Sequence, residues 1–239
     1  MKFDLHKSDR KLAVLIDPDK HKADELYDYL NGIKLIDPDY VLIGSSLIHD
    51  SNIEIVARIT KSIIHKPLVL FPGHFTQLND EVDAVLLLSL ISGRNSEHLI
   101  GQHVLAAPKL KTLKSDIISP GYMLIDGGNL TSVGYMSNTH PIPREKADIA
   151  VCTAIAGEYI GMKLIYMDAG SGAELPINPA MVKKVAKAVD IPVIVGGGIR
   201  SSDQLDDYWN NGANLVVIGN ALEESNEMLS GELKAREKH

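Results

Sequence analysis

Five short stretches hold residues whose types and spacing could do chemistry together. In Asp17-Pro18-Asp19-Lys20 the proline biases Asp17 towards extended backbone and keeps it off a helix. A carboxylate such as Asp17, with a hydroxyl such as Ser46 from Gly44-Ser45-Ser46, starts a hard-cation site. Mg2+ would complete its shell there with water and phosphate oxygens. Asp19 has a simpler role, capping a helix that begins near Lys20 and His21. Asp168-Ala169-Gly170-Ser171-Gly172 and Gly196-Gly197-Gly198-Ile199-Arg200 are glycine-rich. Glycines let the backbone approach a ligand closely and aim several N–H groups at it. Gly219-Asn220 opens a last helix, whose N-terminal end carries partial positive charge. The shared chemistry is phosphate binding, and the competing use of these glycines is to turn the chain into a helix.

Something must bring these stretches together. Each follows one of eight short apolar runs: residues 12–16, 40–43, 67–71, 84–88, 117–125 (broken by Pro120-Gly121), 163–167, 192–195 and 215–218. Runs rich in Val, Ile and Leu without alternation suit parallel strands covered on both faces. Helical periods separate them. Ala23, Leu26, Tyr27 and Leu30 fall at i, i+3, i+4 and i+7, and Ser51 with Glu54 forms a capping box ahead of Ile53, Val56 and Ala57. Asn178-Pro179 starts a helix striped by Val182, Val185, Ala186 and Val189. Ser201 with Gln204 caps another, with Leu205, Tyr208 and Trp209 inward and Asn211-Gly212 as its stop.

Eight strands alternating with helices are the arithmetic of a (β/α)8 barrel, here one α/β domain over residues 1–239. Such barrels place chemistry at the C-terminal strand ends and phosphate after strands seven and eight. Two places break the regular pitch. Residues 72–77 after the third run leave room only for an irregular piece, and residues 126–144 after the fifth make a long loop suited to covering the site.

Composition closes off other classes. The chain has 239 residues, with 24 Lys+Arg against 31 Asp+Glu, a formal charge of −7 that argues against broad nucleic-acid binding. No apolar stretch approaches the ~20 residues of a bilayer span, and the charged N-terminus is no signal peptide. The single cysteine, Cys152, cannot form an internal bridge, which fits a reducing cytosol. It sits in an apolar helix over residues 149–160, which suggests a small core residue. The nine histidines lack zinc spacing, Lys109, Lys111 and Lys114 suggest a solvated rim, and residues 232–239 a charged helix end.

In order along the chain, residues 15–20, 42–46, Pro141-Ile142-Pro143-Arg144, Tyr166-Met167-Asp168-Ala169-Gly170-Ser171-Gly172-Ala173, Gly196–Arg200 and Gly219-Asn220 resemble the geranylgeranylglyceryl phosphate synthase family, relatives of bacterial heptaprenylglyceryl phosphate synthase. The resemblance covers essentially the whole chain. It implies a TIM-type barrel that transfers a prenyl group from its diphosphate, geranylgeranyl diphosphate foremost, to the 3-hydroxyl of sn-glycerol 1-phosphate with Mg2+. It implies Asp17 and Ser46 as metal ligands. It also implies Tyr166, Met167, Asp168, Ala169, Gly170, Ser171, Gly172, Gly196, Gly197, Gly219 and Asn220 at the glycerol phosphate, with Asp168 as the base. A homo-oligomer, a cytoplasmic location and transient membrane contact for product release are further implications. Two departures stand out: Asp168 stands where many members carry the longer Glu, and His74-Phe75 replaces small residues. The glycines alone would also suit a sugar-phosphate or FMN barrel, or a silent phosphate- or lipid-binding one.

Overall fold

Each apolar run forms strand, and both faces of most of them find cover, though Ile117 at the start of the fifth is 39% exposed. The computed structural model describes residues 2–20, 23–48 and 53–219. The order is β1 (Lys11–Ile16), α1 (Ala23–Ile36), β2 (Tyr40–Ile43), α2 (Ile53–Ile63), β3 (Leu68–Leu70), a 3-10 turn (Phe75–Gln77), β4 (Ala84–Leu86) and β5 (Ser89–Leu90). A π-helical turn (Glu97–Gly101) leads into α3 (Gln102–Leu110), then β6 (Asp116–Ile118), β7 (Pro120–Leu124), α4 (Ser132–Ser137) and α5 (Ala147–Tyr159). The chain continues through β8 (Leu164–Asp168), α6 (Pro179–Ala188), β9 (Val193–Gly196), α7 (Ser202–Asn210) and β10 (Leu215–Ile218).

All strand pairings are parallel, and β1 pairs with both β2 and β10. The fourth and fifth staves are each broken in two. β4 pairs with β6 and β5 with β7, so a kink at Leu87-Leu88 faces one at Ser119. The Leu87 amide donates to Ile118 O across the break, at 2.7 Å. The ten segments therefore make the eight staves of a (β/α)8 barrel, the fold class expected.

Two cores follow from strand alternation. Inside the barrel lie Ala13, Leu42, Val69, Leu86, Tyr122, Tyr166, Ile194 and Val217, with the tilted rings of Phe3 and Tyr40 in contact at 4.7 Å. Outside, Val14, Ile16, Val41, Ile43, Leu70, Met123 and Val195 pack against the helices. That double burial is why the runs do not alternate in polarity.

The helix signals fare well where the chain is described. Asn178 accepts from the Ala180 amide at 2.9 Å ahead of Pro179. Ser201 and Gln204 form the reciprocal capping box of α7, and Gly212 ends it at φ +93°. Ser51, His21 and residues 232–239 lie outside the described residues.

Three expectations need correction and one needs refining. α1 runs on to Ile36 and buries Tyr29 and Ile33, while Tyr27 is 49% exposed. Trp209 packs against the core as expected but stays partly exposed, and its indole Nε1 donates to Lys11 O at 3.1 Å. Cys152 is exposed: α5 turns Ala150, Ala154 and Gly157 inward, leaving Ile149 and Cys152 outside. Residues 126–144 are no bare loop. They hold α4 and a parallel bridge between Ile125 and Ile142.

Candidate active site

Barrel closure brings the expected stretches to one mouth. A cavity of about 250 Å³ there is lined by Asp17, Ser45, Ser46, Tyr122, Tyr166, Asp168, Ser171, Gly172, Gly197, Gly198, Arg200 and Gly219, among others. Asn220 lies outside the described residues. Met167, Ala169, Gly170 and Gly196 do not line the cavity; they carry the residues that do. Met167 and Ala169 are buried against the outer core. Gly170 supports Asp168 through its amide, and Gly196 pairs with Asp168 across the β8–β9 ladder.

Asp168 ends β8, and its side chain is held at both oxygens. The Tyr122 hydroxyl donates to Oδ2 at 2.5 Å and the Gly170 amide to Oδ1 at 2.8 Å. Burial raises its pKa above the usual carboxylate range, and these two hydrogen bonds oppose that rise. Burial, with the Asp168 charge beside them, pushes the Tyr122 and Tyr166 phenols well above their ordinary value of 10. Both phenols therefore keep their protons.

The glycines have the backbone geometry the sequence suggests. Gly170, Gly172, Gly197 and Gly198 have φ of +89°, +75°, +85° and +70°, a region side chains avoid. A Cβ at Gly197 would stand 2.6 Å from Asp168 Oδ1 and 2.7 Å from Gly170 N, so this loop and Asp168 pack as one unit. Among the described residues, neither the Gly197 nor the Gly198 amide donates to a backbone carbonyl. The Arg200 and Ser201 amides, in contrast, are taken by Gln204 Oε1, at 2.6 and 3.1 Å.

Opposite, Asp17 follows β1. Its Oδ1 accepts from the Asp19 amide and its Oδ2 from the Ser45 hydroxyl, both at 3.1 Å. Asp19 is thus drawn into an Asx turn that shapes Asp17. Ser45, rather than Ser46, bonds the carboxylate, while Ser46 lines the same cavity. The donors here are hard oxygens. Among the described residues no group of three or more His, Cys, Asp or Glu could enclose a metal.

A second, apolar groove of about 100 Å³ adjoins the first and shares Ser45, Ser46, Phe71, Tyr122 and Val133 with it. It runs past Leu87, Leu88 and Leu90 at the broken fourth stave to Ala106 and His103 of α3. His74 and Phe75, the unexpected pair, line it with rings 4.4 Å apart. Phe71, Tyr122 and Tyr166 cluster where groove and cavity meet, with centroids 5.2 to 6.0 Å apart.

The segment after β7 covers that junction. Val133 lines both spaces, with Ser132 on the cavity and Met136 on the groove. The segment is tied to the loop after β8: Asn129 Nδ2 donates to Gly172 O at 3.1 Å, Leu175 N donates to Gly127 O at 2.9 Å, and Arg144 donates to Pro176 O.

Sequence reasoning missed Tyr122, Phe71 and Ser45 as site residues. A signal for Tyr122 existed, since it is opposite Tyr166 in the β7–β8 register, at an inward position in the middle of its strand. Aromatic residues in strands ordinarily pack, and that ordinary role masked it.

Residues 5–237 match the profile of the PcrB family. A curated relative from Chitinophaga pinensis, named geranylgeranylglyceryl phosphate synthase, is 46% identical over 92% of this chain and 87% of its own length. One of the same name from Pyrococcus furiosus is 35% identical over 88% of this chain and 83% of its own. Among solved structures, (S)-3-O-geranylgeranylglyceryl phosphate synthase from Thermoplasma acidophilum, in complex with sn-glycerol-1-phosphate, superposes with a TM-score of 0.88 at 29% identity. It covers 95% of this chain and 91% of that one.

Proposed function

The chain belongs to the PcrB family and is a prenyltransferase of the geranylgeranylglyceryl phosphate synthase type, and we propose that it joins a prenyl diphosphate, geranylgeranyl diphosphate foremost, to the 3-hydroxyl of sn-glycerol 1-phosphate. The observation that carries this reading is the pairing of two spaces, a polar, glycine-walled cavity and an apolar groove, which meet at Tyr122, Phe71 and Ser46. A sugar-phosphate barrel needs the first space and has no use for the second.

The amides of Gly197 and Gly198, with those around Gly172 and Gly219, bind the glycerol phosphate and bring its hydroxyl beside the groove. The hydroxyl oxygen then bonds to the allylic carbon, and the carbon–oxygen bond to diphosphate breaks with its electron pair leaving on the diphosphate. Asp168 accepts the hydroxyl proton, and its raised pKa makes it the stronger base. The apolar groove takes the prenyl chain and keeps water from the allylic centre.

Asp17 and Ser46 suit a magnesium ion that keeps water and phosphate oxygens in its shell, since they offer few protein donors, all of them oxygen. When bound, that ion would neutralise charge on the leaving diphosphate. Family membership and the exposed apolar residues of α5, Ile149 and Cys152, support a homo-oligomer. Exposed Leu130, Tyr135 and Met136 beside the groove support brief membrane contact as product leaves.

Labelled sn-glycerol 1-phosphate, incubated with prenyl diphosphates of several lengths with and without Mg2+, tests the reading. Ether product that requires the metal is expected, together with loss of turnover in folded Asp17→Ala. No ether with any chain length would leave a phosphate- or lipid-binding barrel, and full activity in Asp17→Ala would remove the metal assignment.

A further inference from the structure

Tyr122 is buried at the meeting of cavity and groove, and its hydroxyl is committed to one atom, Asp168 Oδ2, at 2.5 Å. The other carboxylate oxygen is committed to the Gly170 amide at 2.8 Å. We propose that Tyr122 is a positioning residue, whose phenolic proton fixes the rotation of the Asp168 carboxylate and sets how readily it takes a proton. This rests on the reading of Asp168 as the base.

The geometry leaves the carboxylate little other freedom. Its Oδ1 side is walled by the Gly197 backbone, where even a Cβ would stand 2.6 Å away. The Tyr122 ring is in turn held by Phe71 and Tyr166, at 6.0 and 5.5 Å, so its hydroxyl cannot easily turn elsewhere. The titratable groups facing Asp168 are Tyr122 from β7 and Tyr166 from β8. Asp17, Lys20 and Arg200 line the same cavity from the loops after β1 and β9.

A donor to the charged carboxylate favours its ionised form, so removing the donor must raise the pH at which Asp168 loses its proton. Tyr122→Phe keeps the ring and its packing and deletes only the hydroxyl. In that variant the acid limb of the kcat/KM profile moves about one unit to higher pH, the size expected for a charge-assisted hydrogen bond. Turnover drops about tenfold, while KM for glycerol phosphate changes less than about threefold. Tyr122→fluorotyrosine keeps the hydroxyl, makes it the stronger donor and moves the limb the other way. A carboxyl-carbon NMR titration of Asp168 in the free enzyme reads the same shift without turnover. An unchanged carboxyl titration and an unchanged acid limb in both variants would overturn the proposal. If the wild-type protein forms no ether product, the proposed function falls, and the NMR titration still decides whether Tyr122 governs Asp168.

Discussion

Replacing Asp168 with asparagine keeps the side chain's size but removes the anion that would accept a proton. Turnover of Asp168→Asn is expected to fall by roughly 10²–10⁴, the usual worth of a positioned base. In the wild type, the acid limb of kcat/KM should lie above the ordinary Asp range. Burial raises this pKa, and a carboxylate in the proposed role of base works only once deprotonated. A limb near pH 4 would contradict that. Gly197→Ala tests the wall behind the carboxylate. Its φ of +85° and the 2.6 Å approach to Asp168 Oδ1 leave no room for a methyl group. A strained site of this kind costs about 1–3 kcal/mol, so both melting temperature and turnover should drop. The placement of Asp17, Asp168, Gly172, Gly197 and Gly219 at the barrel mouth was legible in the sequence because each lies in a stretch that follows an apolar run. Tyr122 and Ser45 were hidden because their partners are distant in sequence, 46 residues away for Tyr122 and 28 for Ser45.

Elements were legible where local chemistry decides them. The α7 capping box joins residues three apart, so the sequence alone displays it. Ser201→Ala is expected to cost about 1 kcal/mol and lower the melting temperature by about 2–4 °C in a calorimetric scan. The break in the fifth stave was legible from Pro120-Gly121, one residue from where β6 gives way to β7, whereas the break in the fourth was not, because it depends on how two distant strands meet at the closure of the barrel. Those breaks matter, since Leu87 and Leu88, which separate β4 from β5, form part of the groove wall. The cover over residues 126–144 is tied by hydrogen bonds to the loop after β8, which also contributes Ser171 and Gly172 to the cavity. Filling the site should therefore slow proteolysis between residues 128 and 140. Equal cleavage with and without both substrates would show that this segment does not close over them.

For the molecule as a whole, the charge of −7 sits oddly with the two proposed phosphate-bearing substrates only if binding requires a basic surface. The barrel instead gathers backbone amides, aromatic rings and a few charged side chains at its strand ends, and surface charge decides little there. Overall length and run spacing gave the eight staves. Closure aligns the polar cavity with the apolar groove at Tyr122, Phe71 and Ser46. That alignment makes one stoichiometry decisive. With sn-glycerol 1-phosphate, geranylgeranyl diphosphate and Mg2+, the ether product and inorganic diphosphate should appear in equal amounts when both are quantified in one reaction. Diphosphate released without ether, or neither product at all, would contradict a prenyl transfer centred on Asp168.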